Sequence, residues 1–127
     1  MSSVLDASAL LAAISGEPGS DVVAAALAAD AAISAVNLSE IVAKLAEAGA
    51  PEADIRQALT GLGLEVVAFD TDQAYIAGLM RPSTRSAGLS PGDRACLALA
   101  QRLGRPALTT DRAWHGVLPD VEVRVIR

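Results

Sequence analysis

Apolar residues along the chain come in short blocks whose period keeps changing. Residues 2–5 form a brief apolar run, Asp6 interrupts it, and residues 8–14 resume with helical spacing until the breaker "GEPG" at 16–19. Residues 20–29 predict an alanine-rich helix capped by Ser20 or Asp21, and "AAISAV" (31–36) a buried strand. "NLSEIVAKLAEAG" (37–49) and "PEADIRQALTGLG" (51–63) follow as helices, the first closed by Gly49 and the second opened by Pro51. "LEVVAF" (64–69) predicts a strand and residues 70–81 a helix capped by Asp70. A polar loop then runs to Leu89. The remaining pieces are a helix over 90–104, a strand over 106–110 and a last strand over 121–126.

Strands alternating with helices predict an α/β fold: one domain over residues 1–127, with a mostly parallel sheet of four to five strands covered by helices on both faces. In such a sheet each helix that follows a strand begins at the carboxyl edge, where ligands bind. The segment 70–104 reaches that edge twice. Its first helix leads away over roughly 16 Å, at about 1.5 Å per residue. The loop ending at Leu89 is long enough to return the chain, so the helix from Ser90 also starts there.

Four acids are thereby brought to one edge: Asp6 past the first strand, Glu40 in the first turn after the second, Asp93 in the first turn of the 90–104 helix, and Asp111 past the 106–110 strand. They share a crevice if the first strand neighbours the 106–110 strand at a topological switch point. Helix capping is the competing explanation. "NLSE" (37–40) and "SPGD" (90–93) have capping-box form, and Asp6 and Asp111 can cap the turns after them. Four carboxylates in one crevice, however, must take up protons or bind a cation, and an all-oxygen set suits Mg²⁺ or Mn²⁺. Such an ion lowers the pKa of a bound water and neutralises charge on a phosphodiester. Ser8, Thr109 and Thr110 stand where a hydroxyl could bond a ligand carboxylate, although capping and strand propensity explain them too.

Composition narrows the reading further. Apolar residues make up 52% of the 127 and aromatics only 2%, so the core must be built from Ala, Leu, Val and Ile. No apolar run is long enough for a membrane span and no signal-peptide pattern opens the chain. With one cysteine, Cys96, the expected setting is a reducing cytoplasm. Cys96 itself reads as a small buried hydrophobe. The single histidine, His115, cannot supply the imidazole pair of a metal-free ribonuclease. A formal charge of −5 argues against non-specific nucleic-acid binding, but the halves differ. Residues 1–63 carry eight acids and two bases; residues 64–127 carry seven acids and eight arginines. A local anion-binding face in the second half is therefore possible.

"VLDASALLA", "NLSEIVAKL", "LEVVAFD", "RPSTRSAGLSPGDRACLALAQRLG" and "ALTTDRAW" occur in the order and approximate spacing of PIN domains. More narrowly the chain resembles the VapC toxins of bacterial type II toxin–antitoxin modules, from residue 4 to about residue 114. The resemblance implies a toxin endoribonuclease that hydrolyses RNA with Mg²⁺ or Mn²⁺, leaves 3′-hydroxyl and 5′-phosphate ends, forms a homodimer and is inhibited by a VapB-type antitoxin. It carries the metal-site role onto Asp6, Glu40, Asp93 and Asp111 and matches Thr109 to the family's hydroxyl. Pro91 departs from the family's usual apolar residue. Arg81, Arg85, Arg94 and Arg112 become the RNA-backbone candidates. Two rivals remain. A receiver or haloacid-dehalogenase domain wants a lysine late in the chain, whereas the only lysine is Lys44, and the haloacid-dehalogenase type also wants a second Asp at position 8, which is Ser. A non-catalytic interaction module would use all four acids as caps and its alanine-rich helices for packing on a partner.

Overall fold

The computed structural model describes residues 2–127. Its strands are β1 (Val4–Leu5), β2 (Ala32–Ser34), β3 (Glu65–Val67), β4 (Ala107–Thr109) and β5 (Val123–Val125). The helices are α1 (Ala7–Ser15), α2 (Ser20–Ala28), α3 (Ala35–Glu47), α4 (Glu52–Thr60), α5 (Thr71–Leu79), α6 (Arg81–Thr84) and α7 (Pro91–Leu103), with a 3-10 turn at Arg112–Trp114.

The five strands form one sheet in the order β3-β2-β1-β4-β5, and every pairing is parallel. The chain winds outward from β1 to β2 and β3, then crosses back through α5, α6 and α7 to place β4 on the other side of β1. The switch point therefore lies between β1 and β4, where Val4 pairs with Ala107 and Leu5 with Leu108. The α/β class and the parallel sheet are as the sequence predicts, and the first and fourth strands are neighbours, which is the condition set above for the four acids to share one edge.

Side chains alternate across the sheet and build two apolar layers. Leu5, Ile33 and Leu108 pack with Leu10 of α1, Val23 of α2 and Ile41 of α3. Val4, Ala32 and Ala107 face α7 and α5, where Leu97, Leu99 and the buried Trp114 pack. The core is aliphatic, and Cys96 is buried in it as expected.

Three elements depart from the sequence reading. The second strand stops at Ser34, whose hydroxyl accepts from the Val36 N–H at 3.2 Å and caps a helix that starts two residues earlier than predicted. Helix α2 begins after Gly19 (φ 95), not at a side-chain cap. A Cβ at Gly19 would lie 2.8 Å from Ile126 Cδ1, so glycine serves both the turn and the approach of the C-terminal segment. The predicted loop before Leu89 contains the short helix α6, held by the buried Thr84 hydroxyl donating to the Met80 carbonyl.

Among the described residues no single helix is long and apolar enough to cross a membrane. An apolar groove of about 770 Å³ lies between α3, α4 and the edge strand β3, lined by Leu38, Val42, Ile55, Leu59 and Val66.

Candidate active site

Asp6 ends β1 and begins α1. Its backbone N–H still belongs to the sheet, donating to the Leu108 carbonyl at 3.1 Å, while its side chain accepts from the Ala9 N–H at 2.8 Å as the N-cap of α1. The residue is only 4% exposed. Two hydroxyls complete its surroundings. Thr109 Oγ1, at the end of β4, donates to Asp6 Oδ2 at 2.6 Å. Ser8 Oγ donates to the same carboxylate, 2.8 and 2.9 Å from its two oxygens. Each hydroxyl also accepts from the chain leaving β4: Ser8 Oγ from the Thr110 N–H and Thr109 Oγ1 from the Asp111 N–H, both at 3.1 Å. The carboxyl ends of β1 and β4 are thus tied through one carboxylate. The Thr110 side chain takes no part in this network.

Burial raises the Asp6 carboxyl from 3.8 to about 6, against the hydrogen bonds from Thr109, Ala9 and Ser8, with a further upward push from Asp93. Asp70 is an informative contrast. It caps α5 through the Gln73 N–H at 2.9 Å, but it is exposed. The Gln73 N–H and then Arg102 hold its carboxyl below the usual value. Capping a helix therefore does not require what is done to Asp6, since a cap works as well, and with less cost, at the surface.

Asp93 lies in the first turn of α7. The capping box anticipated from "SPGD" is complete: Ser90 Oγ accepts from the Asp93 N–H at 3.1 Å, and Asp93 Oδ2 accepts from the Ser90 N–H at 2.9 Å. Asp111 is exposed and accepts from the Ala113 N–H at 2.9 Å, capping the 3-10 turn.

Glu40 corrects the sequence reading. Because α3 begins at Ala35 under the Ser34 cap, Glu40 lies in the second turn, and Asn37 is not an N-cap. Asn37 Nδ2 instead donates to Glu40 Oε1 at 2.8 Å and to the Gly92 carbonyl at 3.0 Å. Glu40 thereby lies across the first turn of α7, next to the residue that precedes Asp93. Asn37 and Gly92 escaped the sequence reading. The signal available for Asn37 was its i,i+3 spacing to Glu40 on one helix face.

Asp6, Asp93 and Glu40 all act on a single buried group, the Cys96 thiol. Burial first, then the charges of these three residues, push it well above its usual range. Asp111 joins them through its backbone, by the bond to Thr109. Among the described residues, no group of three or more His, Cys, Asp or Glu side chains is placed to hold a metal ion as it stands. Each of the four carboxylates instead turns an oxygen to a neutral N–H donor.

Of the four arginines, Arg81, Arg85 and Arg112 are exposed. Arg94 is half-buried, and its Nη1 donates to the Ala77 carbonyl near the end of α5 at 3.3 Å, so its guanidinium is engaged within the fold. His115 is exposed beyond the 3-10 turn.

The family model for the PIN domain matches residues 3–117. The VapC ribonuclease Mb2780c of Mycobacterium bovis is 35% identical over 114 residues, a match covering 83% of this chain and 87% of that protein. The ribonuclease VapC42 of Mycobacterium tuberculosis matches to the same extent. Among solved structures, VapBC2 from Rickettsia felis bound to a promoter DNA fragment superposes with a TM-score of 0.77 at 18% identity, covering 98% of each chain. A toxin–antitoxin complex from Klebsiella pneumoniae gives 0.76 at 22% identity, covering 99% of this chain and 98% of that one.

Proposed function

We propose that this chain, which belongs to the PIN-domain family and within it to the VapC ribonucleases, is a toxin endoribonuclease of a VapBC module that hydrolyses RNA phosphodiester bonds with Mg²⁺ or Mn²⁺ at the Asp6 edge. The observation that carries this reading is geometric: Asp6 ends β1 at the switch point and bonds to Thr109, whose hydroxyl also holds the Asp111 N–H, while the Glu40 carboxylate lies against Gly92, the residue before Asp93.

The donor set fits a hard divalent ion. It is all oxygen, it includes a carboxylate that burial makes costly to ionise alone, and no imidazole or accessible thiol competes. Asp6, Glu40, Asp93 and Asp111 would hold the ion, exchanging present hydrogen bonds for it. When bound, such an ion supplies charge neutralisation at phosphorus oxygens and a water of lowered pKa.

The chain's own residues do the rest. Thr109 and Ser8 orient the Asp6 carboxylate and stabilise its ionised form at neutral pH. Arg81, Arg85 and Arg112 present exposed cations to the RNA backbone. The antitoxin partner, of VapB type and inhibitory, is supported by the toxin–antitoxin complexes among the structural neighbours, and a second copy of the chain as homodimer partner is proposed from the family resemblance. A cytoplasmic location suits a chain with one buried thiol and an RNA substrate.

A second reading, a non-catalytic module whose acids are caps, is favoured by the caps that Asp6, Asp93 and Asp111 do form. It leaves Glu40 without a purpose, since Ser34 already caps α3. RNA cleavage with Mg²⁺ or Mn²⁺, stopped by chelator and lost in Asp6→Asn, is the expected result, with 5′-phosphate product ends. Metal-independent cleavage, or none by folded protein across varied RNAs, would overturn the enzymatic reading.

A further inference from the structure

We infer that Asn37 and Gly92 form a positioning device for Glu40, one supplying the grip and the other the space. The inference rests on the metal-dependent reading of the acid site and extends it to two residues outside the acid quartet.

Asn37 is 1% exposed, in the first turn of α3. Its two amide hydrogens are both used, one on Glu40 Oε1 and one on the Gly92 carbonyl. The chemistry fixes the amide's orientation. Turned over, Oδ1 would face a carboxylate and a carbonyl, which are both acceptors, and both bonds would become repulsions. Correctly oriented, Asn37 leaves Oδ1 buried without a partner among the described residues. A buried asparagine with one unsatisfied acceptor is costly. What offsets the cost is the hold of its Nδ2 on a carboxylate.

Gly92 is the complement. A Cβ at this position would lie 2.5 Å from Glu40 Oε1 and 2.8 Å from both Cδ and Oε2. All three atoms of the carboxylate group therefore occupy the volume that any other side chain would take. Glycine costs about 1 kcal/mol relative to alanine within a helix. Here it leaves room for Glu40 to lie flat on the first turn of α7, which also carries Asp93. Together the two residues set the separation of a carboxylate on α3 from one on α7.

A residue that merely staples α3 to α7 would behave differently from one that aims Glu40, and two variants separate them. Crystal structures of Asn37→Ala and Gly92→Ala in chelator should show the Glu40 carboxylate displaced from residue 92; an unmoved carboxylate in both overturns the inference. Mn²⁺ titration of RNA-free protein by calorimetry should show affinity weakened roughly tenfold or more in each, as for loss of a contact that orients a metal ligand. In a Glu40→Gln background neither change should weaken binding further. Equal weakening in both backgrounds would mean a stapling role and overturn the proposal, as would variants that bind Mn²⁺ like the parent. Parent protein that binds no Mn²⁺, with Glu40 displaced in both variants, would instead refute the metal reading while upholding the positioning of Glu40.

Discussion

Thr109 Oγ1 lies 2.6 Å from Asp6 Oδ2, a bond spanning 103 positions of sequence that joins the ends of the two strands flanking the switch point. The same oxygen accepts from the Asp111 N–H, so one hydroxyl serves two of the four acids. Thr109→Val keeps the shape and removes both bonds. It should destabilise the protein by about 1–3 kcal/mol in denaturant melts, as expected for a bond to a charged group. It should also move the acidic limb of the cleavage profile to higher pH, because a contact that favours the ionised Asp6 is lost. Thr109→Ser should restore both. An unmoved limb in the valine variant would separate Thr109 from Asp6.

Asp6 predicts an unusual pH dependence. Its carboxyl rises from 3.8 to about 6 on folding, so between these values the folded chain binds more protons than the unfolded chain. Its contribution to stability is therefore greatest below 3.8, falls as pH rises through about 6, and is lost above that. In chelator, Asp6→Asn should be more stable than the parent at pH 8, by at most about 3 kcal/mol from the size of the shift, with the gap closing in acid. Urea midpoints across pH would show parallel curves if the carboxyl were not buried and raised.

Asp93 has two roles that mutation can separate. Ser90→Ala removes the bond to the Asp93 N–H and should cost about 1 kcal/mol as a lost helix cap, while cleavage persists. Asp93→Asn retains an acceptor for the Ser90 N–H but loses a charge, so stability should change little and cleavage should be abolished. Comparable activity loss from both variants would indicate that α7 capping, not the carboxylate, is what the reaction needs.

The arginines divide by their environment. With an inactive Asp6→Asn background, Arg81→Ala, Arg85→Ala or Arg112→Ala should each weaken RNA binding. Each should also reduce the dependence of log K on log salt by about 0.7, the release expected per single-strand phosphate. Arg94→Ala should leave that slope unchanged and lower stability by about 1 kcal/mol, because its guanidinium serves the Ala77 carbonyl. A reduced slope in Arg94→Ala would return it to the RNA face.

The winding of the chain was legible because periodicity, Gly and Pro breaks and capping residues agreed with one another, as at Asp70 and at Ser90–Asp93. The start of α3 was not. "AAISAVNLSE" offers three polar residues able to cap, Ser34, Asn37 and Ser39, and local pattern favours Asn37 with its glutamate three places on. The structure uses Ser34, because Asn37 is needed across the molecule at Gly92, a contact 55 residues away that no local pattern encodes. Asp6 and Asp111 were legible as acids placed just past predicted strands, and the structure has them at the ends of β1 and β4. Gly92 was read as ordinary helix-start sequence, since its purpose is the absence of a side chain beneath Glu40. Arg94 was named with the other three arginines, but one residue on from Asp93 the helix turns a side chain by about 100°, and its guanidinium goes to the Ala77 carbonyl of α5.

The central claim, that these acids form one divalent-ion site, is most directly tested by Mn²⁺ binding isotherms on the RNA-free parent and on Asp6→Asn, Glu40→Gln, Asp93→Asn and Asp111→Asn. The account predicts saturable binding by the parent, weakened in every variant and most in Asp6→Asn. Four folded variants that all bind Mn²⁺ as the parent does would contradict it.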